Sequence, residues 1–281
     1  MNYRQIRPCA VVGEYVEFYW ILQDESPPTC IQRIVPDGRA AIILNFANPF
    51  QSQKNGTWHL QPESFLVGQI TGPLLLRPSG AAGMLGIQFR PHGVTRLFQL
   101  PIFELTDSAI ALEDLPGRLF PQLEKLRDLR SLEQAAAALD STLHAIAAQV
   151  HSGDDPISYA VNAIEHTRGL ISIERMAERV GWSTRHLQRR FKSAVGISPK
   201  LFSRMQRFQR VFSAMENAAL DWVDAAVYCG YYDQAHLIRD FRDFTGTTPT
   251  ALLGHEIDLS LRFVQNHTMS HFSKTAESTS W

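Results

Sequence analysis

The feature that most constrains the fold is an internal repeat in the last third of the 281-residue chain. One copy begins at Ala177 and the other at Ala226, and both continue through a glycine, a short polar residue, a leucine, a phenylalanine, a glycine and a proline. The copies are offset by 49 residues at the alanine and first glycine and by 50 from the leucine onwards, so one residue is inserted between them. Such self-similarity indicates one supersecondary unit used twice.

Each copy has the pattern of two helices joined by a tight turn. Gly181 and Gly230 stand where a helix ends in a left-handed residue, which glycine adopts without a Cβ penalty. Ser183 and Asp233 follow as side-chain caps of the next helix, in which leucine and phenylalanine lie four residues apart and face the core. The repeat therefore predicts two helix-turn-helix units, with one long apolar-striped helix between them.

The charge distribution indicates a polyanionic partner for this part of the chain. The formal net charge is −1, yet residues 166–210 contain 11 Lys and Arg against 2 Asp and Glu. Residues 211–254 reverse the balance, with 2 against 6. A local excess of this size is the electrostatic footprint of a nucleic-acid binder, and it predicts that the first unit supplies most of the affinity.

Residues 160–254 resemble the DNA-binding domain of the AraC/XylS family of bacterial regulators. The resemblance rests on Gly181-Trp-Ser183, on the segments 187–192 and 196–199, and on their counterparts within residues 230–249. It implies a transcription regulator, commonly an activator, whose two recognition helices enter successive major grooves of double-stranded DNA. RNA polymerase and a small-molecule effector are the further partners that it implies, whereas a second copy of the chain is a possible partner only on the evidence of an apolar stripe within residues 119–150.

The same motif divides the polar residues of this region into two sets. In the first unit the recognition helix is predicted over residues 184–194, with Leu187 and Phe191 facing inward. The predicted base contacts are Arg185, Gln188, Arg189, Gln234, His236 and Arg239. The predicted phosphate contacts are Arg190, Lys192, Lys200, Arg204, Arg207 and Arg242. For the arginines of the connecting helix, a solvated face is the alternative.

Residues 1–115 contain short apolar segments separated by turn residues, which is typical of a small β-barrel or β-sandwich. The expected fold class is α+β, with a cupin-like N-terminal barrel, accompanying helices and an all-α C-terminal domain. Strands are predicted over residues 31–35, 40–46, 65–67, 74–77 and 84–89. Pro36-Asp37-Gly38 is suited to a tight turn that pairs the first two. Through Tyr19-Trp20, Pro36-Asp37-Gly38, residues 86–91 and residues 105–107, this part resembles a sensor-like domain fused to such DNA readers.

The remaining segments complete the predicted domain organisation. Residues 116–150 carry an apolar stripe at helical spacing, which fits either packing on the N-terminal domain or a dimer interface. Residues 151–157 are polar and rich in helix breakers, as in a linker, and residues 158–254 form the DNA-binding domain. Residues 255–281 are expected to be a mostly flexible tail, with a short strand over residues 259–263 as an option.

A ligand pocket in the N-terminal domain would draw on polar and aromatic side chains. The pocket candidates are Trp20, Arg33, Trp58, Arg90 and His92, with core packing and strand-end ion pairs as the alternative. The chain has no H-x-H spacing, and His59 stands alone, which disfavours a metal-dependent cupin enzyme. We therefore expect no enzyme, no metal and no cofactor. Two other function classes remain: an alkyl-transferring DNA-repair enzyme, and a regulator whose N-terminal domain serves only in dimerisation or protein interaction and binds no ligand.

The sequence composition also predicts the cellular compartment of the protein. No apolar run approaches the roughly 18 residues that a membrane span requires, and residues 1–10 lack a signal-peptide core. The 3 cysteines share no C-x-x-C spacing. These features predict a cytoplasmic protein without a membrane partner.

Overall fold

The computed structural model describes residues 2–26, 31–116, 119–150, 155–217 and 222–249. Within them an antiparallel β region occupies the N-terminal part, and helices form the C-terminal part, which confirms the α+β class. The strands are β1 (Asn2–Ile6), β2 (Val16–Asp24), β3 (Gln32–Ile34), β4 (Ala41–Asn45), β5 (Gln51–Lys54), β6 (Thr57–Leu60), β7 (Ser64–Val67), β8 (Leu74–Arg77), β9 (Ala82–Phe89) and β10 (Ala109–Ala111). They form a six-stranded sheet in the order β1-β2-β9-β4-β7-β10 and a four-stranded sheet in the order β3-β8-β5-β6.

The six-stranded sheet is buried on both of its faces. On β4, Ile42 and Leu44 belong to a core shared with the helices, whereas Ala41 and Ile43 line a cavity in front of the four-stranded sheet. This division follows from the alternation of side chains along a strand. Burial on both sides also explains why the continuous apolar run of β2 shows no alternation that would have predicted a strand.

Two details of the predicted β region are wrong. The sheets do not close into a barrel, because β1, β10, β3 and β6 end their sheets among the described residues. Residues 36–38 do not join a hairpin either, since β3 pairs with β8 while β4 pairs with β7 and β9. The segment instead crosses from one sheet to the other. The turn residues Pro36-Asp37-Gly38 predict a change of direction, but they do not select the strand partners.

Three helices cover the outer face of the six-stranded sheet: α1 (Gly93–Phe98), α2 (Leu119–Glu124) and α3 (Leu132–Ala147). The apolar stripe of residues 116–150 is used in this packing, because Leu123, Leu139 and Leu143 are fully buried in the core that they share with the sheet. These leucines have no surface left to offer a second chain. Their burial supports the packing interpretation, and a dimer would have to use other side chains.

The C-terminal region consists of six helices among the described residues: α4 (Pro156–His166), α5 (Ile173–Arg179), α6 (Thr184–Val195), α7 (Pro199–Asn217), α8 (Trp222–Tyr228) and α9 (Gln234–Thr245). Helix α4 begins inside the predicted linker, where Asp155 caps it by accepting hydrogen bonds from the backbone N–H groups of Ile157 and Ser158. Residues 151–154 and the predicted tail, with its optional strand, lie outside the described residues. Within the described part, no helix is both long and apolar enough to cross a membrane.

Candidate nucleic-acid interface

Helices α5 and α6 form the first helix-turn-helix. Gly181 has a φ of +68° in the turn, and the Ser183 Oγ accepts a hydrogen bond from the backbone N–H of His186 at 3.2 Å. Leu187 and Phe191 are completely buried, and they hold one side of α6 in the core. The turn, the cap and the inward face predicted from the repeat are thus confirmed.

The opposite side of α6 is open to solvent. Arg185, Gln188 and Arg189 are exposed there, and so are Arg190 and Lys192. The spacing of the first three residues places them within about one helical turn of each other. The structure therefore brings together the three base contacts predicted for the first unit. Lys200, at the start of α7, is exposed as well.

Helices α8 and α9 form the second helix-turn-helix with the same local construction. Asp233 Oδ1 accepts from the backbone N–H of His236 at 2.7 Å, and the His236 ring packs edge-on against Tyr231 at 5.1 Å between centroids. Gln234 and His236 are half-buried, whereas Arg239 is exposed. Arg242, in the last turn of α9, is exposed too. Of the three base contacts predicted for the second unit, only Arg239 is exposed, whereas all three predicted for the first unit are exposed.

Arg204 does not fit its predicted role as a phosphate contact. Its guanidinium donates to Asp240 Oδ1 at 2.7 Å and to Asp243 Oδ2 at 2.6 Å, and it lies over the ring of Phe244. Asp240 is 1% exposed, so this arginine compensates a buried carboxylate. The geometry assigns Arg204 to holding α9 against α7.

Arg207 is engaged in a similar way. It donates to the carbonyl oxygen of Gly169 at 3.1 Å, and its guanidinium lies 5.8 Å from the ring centroid of Tyr231. These contacts tie α7 to the end of α4 and to the turn of the second unit. The sequence does not distinguish an arginine with such an internal role from one that contacts DNA. Helical spacing places the arginine on one face of the helix, but it does not show what packs against that face.

Four of the five predicted pocket residues lie away from the cavity between the sheets. Trp58, on β6, packs against the guanidinium of Arg77 on β8. Arg90 forms an ion pair with Glu17 at 3.4 Å, and Arg33 is half-buried on β3. His92 contacts helix α4 instead. Only Trp20 lines the cavity.

The cavity has a volume of about 140 Å³ and lies between the two sheets. Most of its wall is apolar, and its polar lining side chains are Asp37, Arg39, Gln61 and Gln88. These four residues are not among the pocket residues predicted from the sequence. The signal was available at Asp37 and Arg39, two charged residues in a short interval between apolar strands.

The N-terminal region contacts the first helix-turn-helix directly. Thr95 Oγ1 donates to the carbonyl oxygen of Ala194, and Thr106 Oγ1 donates to that of Gly196, both at 2.9 Å. The C-terminal end of α6 is therefore held by α1 and by the 3-10 segment Ile102–Leu105. The N-terminal region thus contacts α6, the predicted recognition helix, directly.

A titratable contact lies in the same interface. His92 Nε2 lies 3.1 Å from Ser158 Oγ on α4, and burial lowers the pKa of His92 to about 4, although Asp155 opposes this shift and Arg96 and Arg90 add to it. The ring is thus neutral in the folded state at pH 7.

We expect acid to weaken the fold through this histidine. Its folded pKa lies below the unfolded value of 6.5, so the stabilisation is complete above that pH and is lost as the pH falls towards 4. At pH 5 the loss is about 2 kcal/mol. Urea unfolding at pH 7 and pH 5, for the wild type and for His92→Gln, measures it. An equal pH response in both proteins would contradict the assignment.

The cysteines bear on the DNA-repair alternative. Cys229 is fully buried, and burial raises the pKa of its thiol to about 11, which keeps it protonated and unreactive. Cys9 is partly exposed, and Cys30 lies outside the described residues. In the described ranges no group of three or more His, Cys, Asp and Glu side chains could hold a metal ion.

Two family models match the chain. Residues 4–111 match a domain of unknown function, DUF6597, and residues 176–255 match a helix-turn-helix domain. An uncharacterized HTH-type transcriptional regulator of Staphylococcus aureus strain MSSA476 is 25% identical over an alignment of 166 residues, which covers 54% of this chain and 22% of that protein. The chain therefore corresponds to about a fifth of the length of this relative.

Two further similarities concern shorter or more distant proteins. The probable transcription factor PqrA of Proteus vulgaris is 27% identical over 96 residues, covering 34% of this chain and 78% of PqrA. The crystal structure of ToxT from Vibrio cholerae is similar with a TM-score of 0.45 and 10% identity, over 84% of this chain and 97% of that one. Taken with the tandem geometry of α5–α6 and α8–α9, the matched domain and the named regulators show an AraC-type helix-turn-helix DNA-binding domain in the C-terminal part of a transcriptional regulator.

Proposed function

We propose that this regulator reads a specific DNA sequence chiefly through helix α6, and that a small molecule bound by its N-terminal region controls DNA binding. The first part of this proposal rests on the contrast between the buried and the exposed face of α6. Leu187 and Phe191 fix one face in the core, while Arg185, Gln188 and Arg189 stand exposed on the other. A helix held in this way presents a fixed set of side chains to a major groove.

The exposed side chains have the chemistry for base recognition. Arginine pairs bidentately with guanine and glutamine with adenine, and each such pair contributes about 1–3 kcal/mol of discrimination. Arg190 and Lys192 lie beside this face, and Lys200 follows on α7, so they are suited to phosphates. The first unit thereby combines affinity with specificity.

The second unit acts mainly in positioning. Arg239 and Arg242 are its exposed cations, and we assign them to the DNA backbone with an added base contact from Arg239. Gln234 and His236 are partly covered, which limits their reach to base edges. Because Arg204 ties α9 to α7, the two units should approach the DNA in a fixed relative orientation.

Control by a small molecule is supported by the cavity and by the direct contacts between the N-terminal region and α6. Neither an enzymatic step nor a cofactor is part of this proposal. RNA polymerase and a second copy of the chain are the partners that a regulator of this kind would engage.

The test is DNA binding measured by fluorescence anisotropy over a salt series, with a sequence selected from a random pool. We expect specific binding whose affinity falls steeply with salt, as required when cations replace counterions on phosphates. Arg190→Ala should reduce the salt slope by about 1 without changing sequence preference. Lys54→Ala, a charge change on the remote strand β5, serves as the control. Failure to select any sequence would refute the proposal.

A further inference from the structure

The cavity between the sheets points to a defined class of ligand and to a route by which that ligand acts. We propose that it binds a small, uncharged, largely apolar molecule with one hydrogen-bond acceptor, and that residues 36–39 transmit its presence to the DNA-binding helices. We call residues 36–39 the linking segment. This inference rests on the proposed function and gives its ligand and regulatory route.

The size and lining of the cavity limit the ligand. A volume of about 140 Å³ is close to that of an apolar protein cavity that accepts benzene. Trp20, Phe50 and Phe65 supply flat apolar walls, and aliphatic side chains from β3, β4 and β8 complete them. A substituted benzene ring fits this space.

The polar end of the cavity excludes a charged ligand. Arg39 is 8% exposed and donates from Nη2 to Glu165 Oε1 at 3.2 Å, while its backbone N–H donates to Asp37 Oδ1 at 3.0 Å. Asp37 Oδ2 also accepts from Gln88 Nε2 at 3.2 Å. One guanidinium thus already faces two carboxylates, so an anionic ligand would enter without a counterion, and a ligand of either charge would lose its hydration against the apolar wall.

One donor at this end has no partner among the residues that the structure describes. The Nε of Arg39 is buried and makes no hydrogen bond there, and because the side chain lines the cavity, a turn of the guanidinium would present this donor to a ligand. An unpaired buried donor is costly, and a ligand acceptor would relieve that cost. A carbonyl or ether oxygen supplies such an acceptor without adding charge.

The linking segment connects this site to two helices of the DNA-binding region. Besides the Arg39 pair with Glu165 on α4, the carbonyl oxygen of Pro36 accepts from Gln209 Nε2 on α7 at 2.7 Å. Gly38 packs so closely on Phe202 of α7 that a Cβ there would lie 2.5 Å from the ring. Helix α7 joins the two helix-turn-helix units, so a shift of Arg39 on ligand binding would alter how they are held together.

The ligand class is tested with three probes of similar shape and the full chain. Acetophenone carries a carbonyl acceptor, isopropylbenzene carries none, and benzoate is charged. Ligand-observed NMR should show acetophenone binding at least about tenfold more tightly than either of the others, as expected when a buried donor is left unpaired or a charge uncompensated. Equal binding of the three probes, or no binding of acetophenone, would overturn the proposed ligand class.

A cavity-filling variant locates the binding site. Ala41→Leu adds apolar volume to the cavity wall and should abolish acetophenone binding while the protein stays folded. Val67→Ile, at another lining position, is the second variant if the first does not fold. Unchanged acetophenone binding in a folded variant would place the site elsewhere and overturn the proposal.

The regulatory route is tested by DNA binding with and without saturating acetophenone. We expect the probe to change the affinity of the wild type for its selected DNA by about fivefold or more. Glu165→Gln and Gln209→Ala should still bind acetophenone but lose this change, whereas Glu178→Gln, an equal charge change on an exposed part of α5, should retain it. An unaltered response in both linking variants would refute the route. If the wild type binds no DNA sequence specifically in the absence of acetophenone, the proposed function itself is refuted.

Discussion

Replacing Arg204 with methionine is expected to lower the free energy of unfolding by about 3 kcal/mol. The arginine lies over an apolar ring and neutralises Asp240, which is 1% exposed, so its loss leaves a buried carboxylate without compensation. Methionine keeps much of the side-chain volume and removes only the charge and its donors. Urea unfolding followed by tryptophan fluorescence measures the change, with Trp222 near α9 as a local reporter.

Two variants separate the buried pair from the exposed one. Asp243→Asn removes the partner whose side chain is 58% exposed and should cost less than about 1 kcal/mol. The double variant Arg204→Met with Asp240→Leu should recover most of the lost stability, because apolar side chains of similar volume can replace a buried ion pair. If Arg204→Met leaves stability unchanged and weakens binding to every DNA sequence equally, the original phosphate assignment is correct.

Replacing Arg189 with alanine is expected to remove about 2–3 kcal/mol of discrimination between the selected DNA and competitor DNA, a factor of roughly 30–150. The side chain is exposed on α6, two residues after the buried Leu187, so its removal leaves the core of the helix intact. Competition anisotropy on both DNAs measures the ratio of affinities. The salt slope should change little, because a base contact displaces few counterions.

The adjacent arginine provides the matched control. Arg190 is equally exposed and has the same charge, but we assign it to phosphate. Arg190→Ala should therefore weaken selected and competitor DNA alike and leave their ratio unchanged. If the two substitutions have the same effect on that ratio, α6 does not read bases through Arg189 in the manner proposed.

The tandem helix-turn-helix could be predicted from the sequence because its determinants are local. Gly181 and Gly196 adopt positive φ, and Ser183 caps the intervening helix, all at the positions that the repeat indicated. The residues that face inward and outward on α6 follow from helical periodicity, with Leu187 buried and Arg189 exposed. Each of these features depends on residues within one or two helical turns.

The β region was predictable only in part. Strands β3, β4, β7, β8 and β9 lie where apolar segments indicated them, but β1, β2, β5, β6 and β10 were not predicted. Short strands with mixed polarity such as β5, and a strand buried on both faces such as β2, do not show the alternation that identifies a half-buried strand. Pairing was harder still, since hydrogen bonds between strands join segments far apart in the chain.

The sequence by itself therefore determined the caps, turns and inward faces of the two DNA-reading units, because backbone conformation and helix periodicity depend on neighbouring residues. Only the tertiary structure decided which charged side chains remain available for DNA. In the folded protein Arg204 forms an ion pair with Asp240, Arg39 forms an ion pair with Glu165, and the two sheets enclose a cavity between them. The partners in the two ion pairs lie 36 and 126 residues apart in the sequence. Only the fold brings these charges together inside the protein, where the dielectric constant is low and the interaction between charges is strong.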